Sequence, residues 1–227
     1  RQIQRFLEQI EEIYPRLPKS GTITVYDLCC GKSYLSFAVY AYLTKKKGRT
    51  VDMLAMDRKR DVIAYCERCA KDLSYTGMRF LVGDIRELSG EGRVDLVISL
   101  HACDIATDIV LDTAARLRAT VILSTPCCHR YLATHLDAPS LSFVTRFPHL
   151  KNKLSEVLTD ALRLAKLEAE GYRVSAVELT DPEDTPKNTL LRATLRSDPD
   201  PAAKETYEKL LVFLLGDGKD TYLKDIL

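Results

Sequence analysis

Short apolar runs alternate with stretches of helical periodicity along the first half of the chain, and this alternation constrains the fold more than any single residue. Thr22 to Leu28, Val51 to Met56, Met78 to Val82, Val94 to Leu100 and Thr120 to Ser124 read as strands. Helical spacing follows over Ser33 to Leu43, Arg58 to Leu73 and Asp104 to Leu117. Strands joined by crossover helices form right-handed βαβ units and a parallel sheet. Before them, residues 2–14 carry Ile3, Phe6, Leu7, Ile10 and Ile13 on one helical face, ending near Pro15 and Pro18. After a loop holding Pro139 and Pro148 comes a long helix, Leu150 to Glu170. Arg173 to Leu179 and Asn188 to Arg196 close the sheet as two further strands, and a helix over Ala202 to Leu215 packs outside it.

The expectation is an α/β fold: a doubly wound, mostly parallel sheet of seven strands in the order 3-2-1-4-5-7-6, the last strand antiparallel. No repeat, low-complexity tract or linker divides the chain. Residues 1–227 read as one domain, with residues 1–19 and 200–227 as helical extensions. The opening residue is Arg1 rather than methionine, which reads as a piece cut from a longer polypeptide.

A sheet of this kind binds its ligand beyond the C-terminal strand ends, where the strand order reverses. The turn there reads Asp27-Leu28-Cys29-Cys30-Gly31-Lys32-Ser33. Gly31-Lys32-Ser33 imitates the end of a P-loop, but Tyr26 stands where that motif needs its first glycine. A dinucleotide fingerprint needs three glycines, and only Gly31 is present. A ligand without phosphate fits better, and S-adenosylmethionine is one. Asp27 precedes the turn, where it can act on a ligand ammonium directly or through water, and Cys29, Gly31 and Ser33 supply small residues at alternate positions. Asp57, with Arg58 after it, follows the second strand, where a carboxylate can accept both ribose hydroxyls. Asp84 and Ile85 follow the third, where adenine would lie. Cys30 and Leu100 complete the expected cofactor set. A nicotinamide enzyme also uses an acid like Asp57, so the scarcity of glycines carries the distinction.

The fourth strand runs into His101-Ala102-Cys103-Asp104 and the fifth into Pro126-Cys127-Cys128-His129. Neighbouring strand ends would gather Cys29, Cys30, His101, Cys103, Cys127, Cys128 and His129 at one edge. The segments Asp27-Leu-Cys-Cys-Gly-Lys-Ser-Tyr-Leu-Ser36, His101-Ala-Cys-Asp-Ile-Ala-Thr-Asp108 and Pro126-Cys-Cys-His129 resemble a group of methyltransferase-like proteins. That group includes proteins named for similarity to ribosomal RNA adenine dimethylases, and the methyltransferase part of a glutathione-transferase C-terminal-domain protein. The resemblance runs over about residues 22–196, with Thr185-Pro-Lys-Asn-Thr189 fitting its closing segment. It implies the class I methyltransferase fold, S-adenosylmethionine as cofactor, and an RNA substrate. Cys29 and Ser33, part of that motif, stand where most methyltransferases carry glycine.

Four roles compete for the cluster. The cysteines can be small buried hydrophobes, with the histidines in local hydrogen bonds. His101 or His129 can be a general base, His101 first because the fourth strand end faces the transferring methyl. Thiolates and imidazoles can bind zinc, yet the spacings match no standard finger, Cys66 and Cys69 lie on a helix away from this edge, and no metal ligands are assigned. Cys127 or Cys128 can attack a pyrimidine. The expected catalytic set is His101, Cys103, Cys128 and His129. Ser99-Leu100-His101-Ala102 is unlike the Asn/Asp-Pro-Pro-aromatic run of enzymes that methylate the adenine amine, which disfavours that reaction.

A net charge of +1 excludes wholesale electrostatic binding to nucleic acid or membrane, though not a local patch. Arg146, Lys151, Lys153 and Lys187 fall on the active rim and form the expected RNA contact. Lys45, Lys46, Lys47 and Arg49 belong to the opposite end, as a solvated turn. Seven cysteines without a secretory signal or a membrane-spanning run point to reduced thiols and a cytoplasmic protein. A binding module that keeps the fold without catalysis is the alternative function.

Overall fold

The structure, a computed structural model, describes residues 2–88, 92–100, 102–179 and 188–226; His101 and Lys187 fall outside them. Helix α1 (Gln2–Ile13) leads to β1 (Ile23–Leu28), α2 (Tyr34–Ala41), β2 (Val51–Asp57), α3 (Arg60–Asp72), β3 (Met78–Val82), β4 (Leu96–Ser99), α4 (Ile105–Arg116) and β5 (Val121–Ser124). Two short helices, α5 (Arg130–His135) and α6 (Ser142–Thr145), precede the long α7 (Pro148–Ala169). Strands β6 (Tyr172–Glu178) and β7 (Thr189–Leu195) complete the sheet, and α8 (Pro201–Leu215) and α9 (Lys219–Ile226) follow. Helices α5, α6 and α9 are too short to carry a long periodic face, so hydrophobic spacing does not announce them.

The seven strands lie in the order β3-β2-β1-β4-β5-β7-β6, as expected. β7 is antiparallel to both β5 and β6, and every other pairing is parallel. All four residues of β4 and all four of β5 are buried, because helices cover both faces of the sheet's centre. β3 and β6 sit at the edges and alternate between buried and exposed positions. One face of the sheet packs Ile23, Val25 and Leu96 against Phe6, Ile10 and Leu35. The other packs Val97 and Ile122 against Val110, Leu111 and Leu167.

Two expectations about peripheral residues change. Cys66 is not remote from the active edge: its Sγ lies 3.6 Å from the Gly31 carbonyl oxygen, because α3 begins where β2 ends and its second turn underpins the first loop. The lysines after α2 are not merely solvated. They sit on a π-helical turn, Tyr42–Lys46, and its C-cap; Lys45 covers the Tyr75 ring at 4.9 Å and Lys47 bonds Glu11 at 2.6 Å.

Candidate active site

The turn after β1 is built on left-handed backbone. Cys29 has φ 64°, Gly31 52° and Ser33 56°. Glycine adopts this conformation freely, and L side chains pay a steric cost there. That explains why the two non-glycine residues here, Cys29 and Ser33, are small. Asp57 at the end of β2 pins the turn: its Oδ2 accepts from Gly31 N at 3.0 Å and its Oδ1 from Lys59 N at 3.0 Å. One carboxylate thus holds two strand-end loops in register.

Asp27 is 2% exposed. Its Oδ2 accepts from Ser36 Oγ at 2.5 Å, while Oδ1 has no partner among the described residues. Burial pushes its carboxyl up to about 7, against the opposing Ser36 bond. The side chain therefore faces the start of α2 and does not line the neighbouring cleft. Cys30 is buried against Ala55 and Ile63, Ser33 is buried at the cap of α2, and Leu100 belongs to the core. Cys30, Gly31 and Ser33 shape the turn, Leu100 packs in the core after β4, and none of them lines the cleft.

Five residues expected at the cofactor do line it: Cys29, Asp57, Arg58, Asp84 and Ile85. The cleft holds about 340 Å³ and gains an apolar wall from Ile105, Ala106 and Ile109 on α4, with Tyr131 and Asp225 at its rim. Tyr131 and Asp225 come from the short helices, and no local motif marks them. Asp84 is gripped by Arg86, with Nη2 2.7 Å from Oδ2 and Nε 3.1 Å from Oδ1. Those bonds hold its carboxyl down at about 2. Burial and the carboxylates around it push the Cys29 thiol up to about 12, so it stays protonated at neutral pH.

The cleft is chemically a poor phosphate site. Asp57, Asp84 and Asp225 face Arg58 and Arg86, and one of those arginines is already paired with Asp84. A cationic ligand with a flat apolar end and two adjacent hydroxyls matches the donor set. Each oxygen of Asp57 accepts one backbone N–H and retains further acceptor capacity for a hydroxyl.

At the ends of β4 and β5, Cys103 Sγ lies 2.9 Å from Cys127 Sγ, which lies 3.6 Å from Cys128 Sγ. Burial and the neighbouring thiols push Cys127 up to about 12, which argues against it as a nucleophile toward a pyrimidine. His129 turns elsewhere. It is buried, with Nε2 2.9 Å from Asp160 Oδ1 on α7 and the buried Nδ1 without a partner among the described residues. His129 and Asp160 line a second cleft of about 320 Å³ with Pro126, Glu156, Ala176 and Asn188.

Long-range charge holds this side together. Arg163 of α7, almost fully buried, reaches Asp108 at 2.8 and 3.0 Å, Asp160 at 3.1 Å and the Asp104 carbonyl at 2.9 Å. Tyr222 on α9 donates to Asp108 at 2.9 Å. A separate cleft of about 270 Å³, lined by Arg16, Arg173, Arg192 and Arg196, lies toward the opposite edge, where β6 begins.

Known proteins carry the same frame. A family model described as a methyltransferase domain matches residues 1–135. A Drosophila melanogaster homolog of the glutathione S-transferase C-terminal domain-containing protein is 26% identical over 214 residues, covering 82% of this chain and 35% of its own length. The Xenopus laevis protein of that name is 25% identical over 129 residues, covering 57% of this chain and 20% of its own. This chain thus spans a minor part of those relatives. In fold it is similar to a Clostridium thermocellum protein assigned as an rRNA methylase (TM-score 0.58, 15% identity, 85% of this chain and 96% of that one). It is also similar to a Methanococcus maripaludis protein assigned as an S-adenosyl-L-methionine-dependent methyltransferase (TM-score 0.55, 14% identity, 87% and 85%). The family match covers more than half of the sequence and the strand order agrees with it, so the chain belongs to the methyltransferase-domain family and has the class I methyltransferase fold.

Proposed function

We propose that this domain transfers a methyl group from S-adenosylmethionine to a nucleophile on RNA. The observation that carries the cofactor reading is Asp57, whose carboxylate braces the first loop while lining an acidic, partly apolar cleft. Asp57 would receive the ribose hydroxyls, Ile85 and the α4 residues Ile105, Ala106 and Ile109 the adenine face, and Asp84 the adenine amine in competition with Arg86. S-adenosylmethionine, when bound, supplies a methyl on positively charged sulfur, open to in-line displacement by the acceptor atom. On the acceptor side, His129 in the wall of the second cleft is the candidate proton acceptor, its ring oriented by Asp160 through the contact at Nε2.

Two features support RNA as the acceptor. Helix α7 has 22 residues, about 33 Å, and ends just before β6 begins at the opposite edge, which puts its first turns on the active-edge side. There Arg146, Lys151 and Lys153 interleave with exposed aromatics: Phe143 is 65% and Phe147 47% exposed, and Arg146 lies 4.7 Å from the Phe147 ring centroid. Cations for phosphates beside open rings for bases form the usual grip on single-stranded nucleic acid.

Calorimetric titration with S-adenosylmethionine tests the first part. Binding by the wild type should weaken at least tenfold in Asp57→Ala, and equally in Ile109→Trp, which fills the cleft without touching the Asp57 bonds. A folded wild type that binds nothing would refute the enzyme reading in favour of a scaffold. For RNA, the triple alanine variant at Arg146, Lys151 and Lys153 should reduce affinity and flatten its salt dependence by about two to three counterions. An unchanged salt slope would remove RNA from the proposal.

A further inference from the structure

Three thiols at the ends of β4 and β5 line neither the Asp57 cleft nor the His129 cleft. Cys103 comes from the segment after β4, Cys127 and Cys128 from the segment after β5, and all three sulfurs lie within 4.8 Å of one another. Cys103 is exposed and the other two are half-buried, so an ion from solvent can reach them. Among the described residues this is the one such group of potential metal ligands.

We propose that Cys103, Cys127 and Cys128 form a three-thiolate site for one zinc-class ion. Metal–sulfur bonds of about 2.3 Å in a tetrahedron place the sulfurs about 3.8 Å apart. The Cys127–Cys128 separation of 3.6 Å already meets that value. The Cys103–Cys127 separation of 2.9 Å must open by roughly 0.9 Å, within reach of a rotation of the exposed Cys103 side chain. A sulfur-only set selects borderline and soft cations over magnesium or calcium. Iron–sulfur clusters take four cysteines, and only three converge here among the described residues. Three protons pass to solvent as three sulfur–metal bonds form, and the fourth tetrahedral position faces outward to water or a substrate atom. His129 does not join the set. The spacing along the chain matches no standard finger because two of the ligands are adjacent residues and the third arrives from another strand.

Cobalt(II) is the probe. The protein is reduced with a thiol-free reductant, freed of metal, and titrated. Thiolate-to-cobalt charge-transfer absorption and tetrahedral visible bands should saturate at one equivalent per chain and vanish when zinc is added. Zinc saturation should protect three thiols from a thiol-modifying reagent. Cys103→Ala, whose side chain is exposed and whose fold is checked by circular dichroism, should weaken cobalt at least a hundredfold, as should Cys128→Ala. Cys69→Ala, outside the group, should leave the titration unchanged. The proposal falls if the reduced protein shows no such bands, if Cys103→Ala keeps them, or if a Cys103–Cys127 disulfide forms in zinc-saturated buffer instead.

Discussion

Replacing Asp27 by asparagine should change how the stability of this domain responds to pH. The carboxyl sits buried at the head of the first loop, with Ser36 as its one bonded partner among the described residues and its pKa raised from 3.8 to about 7. A native pKa above the unfolded one means that the folded state binds the extra proton. Its stabilising effect is complete below about pH 4 and is lost as pH rises toward 7. A carboxyl displaced that far is worth about 4 kcal/mol over the whole range, of which roughly 3 kcal/mol disappears between pH 5 and pH 8. Asparagine keeps the shape and can accept the Ser36 hydroxyl, but it has no proton to lose. Urea denaturation at pH 5 and pH 8 measures the effect, since all other groups cancel in the comparison of variant with wild type. Relative to wild type, Asp27→Asn should gain roughly 3 kcal/mol from pH 5 to pH 8, about 1 M in urea midpoint for a typical slope. Parallel pH profiles would refute the reasoning, because they would mean that the native carboxyl ionises as easily as in the unfolded chain.

Three further outcomes follow from the same geometry. Arg163→Ala leaves Asp108 charged and buried and should cost about 3–5 kcal/mol in chemical denaturation, much of it restored in the apolar pair Arg163→Met with Asp108→Leu. At Ser33, φ 56° favours glycine: Ser33→Gly should keep or raise the melting temperature, whereas β-branched Ser33→Val should lower it; equal tolerance of both would mean the left-handed turn is not required. His129→Asn and Asp160→Asn should each slow methyl transfer to RNA about 10²- to 10⁴-fold while leaving S-adenosylmethionine affinity unchanged, and a matching loss of cofactor affinity would point to a structural role.

Strand order, the first loop and the second-strand acid were legible because each is a local pattern. Central strands read as unbroken apolar runs, and a loop that cradles phosphate needs glycines this one lacks. Asp84 follows β3 and lines the cleft, but its grip by Arg86 depends on side-chain reach that spacing alone does not reveal. The cleft's outer rim was not legible. Asp225 lies 168 positions beyond Asp57, on an eight-residue helix with too short a face to announce itself. The charge network was hidden for a similar reason. Arg163 reads as one more cation on a long amphipathic helix, and only the packing of α7 against α4 turns it inward to Asp108.

That network explains why the two halves of the edge look so different in sequence. The Asp57 half is built within consecutive βα turns: Asp57 braces Gly31 across neighbouring parallel strands, so a few adjacent motifs suffice. The His129 half is assembled from elements far apart along the chain. Asp104 has φ 53°, a strained backbone held by its own carbonyl accepting from Arg163 and its carboxylate accepting from Tyr131 N at 2.9 Å. Asp160 binds the same arginine and the His129 ring. A single buried guanidinium therefore sets the segment after β4, which carries Cys103, and the imidazole after β5. Breaking Arg163 should disturb both the thiol group and the His129 cleft while leaving the Asp57–Gly31 brace intact, so loss of acceptor chemistry and retention of cofactor binding belong together in that variant.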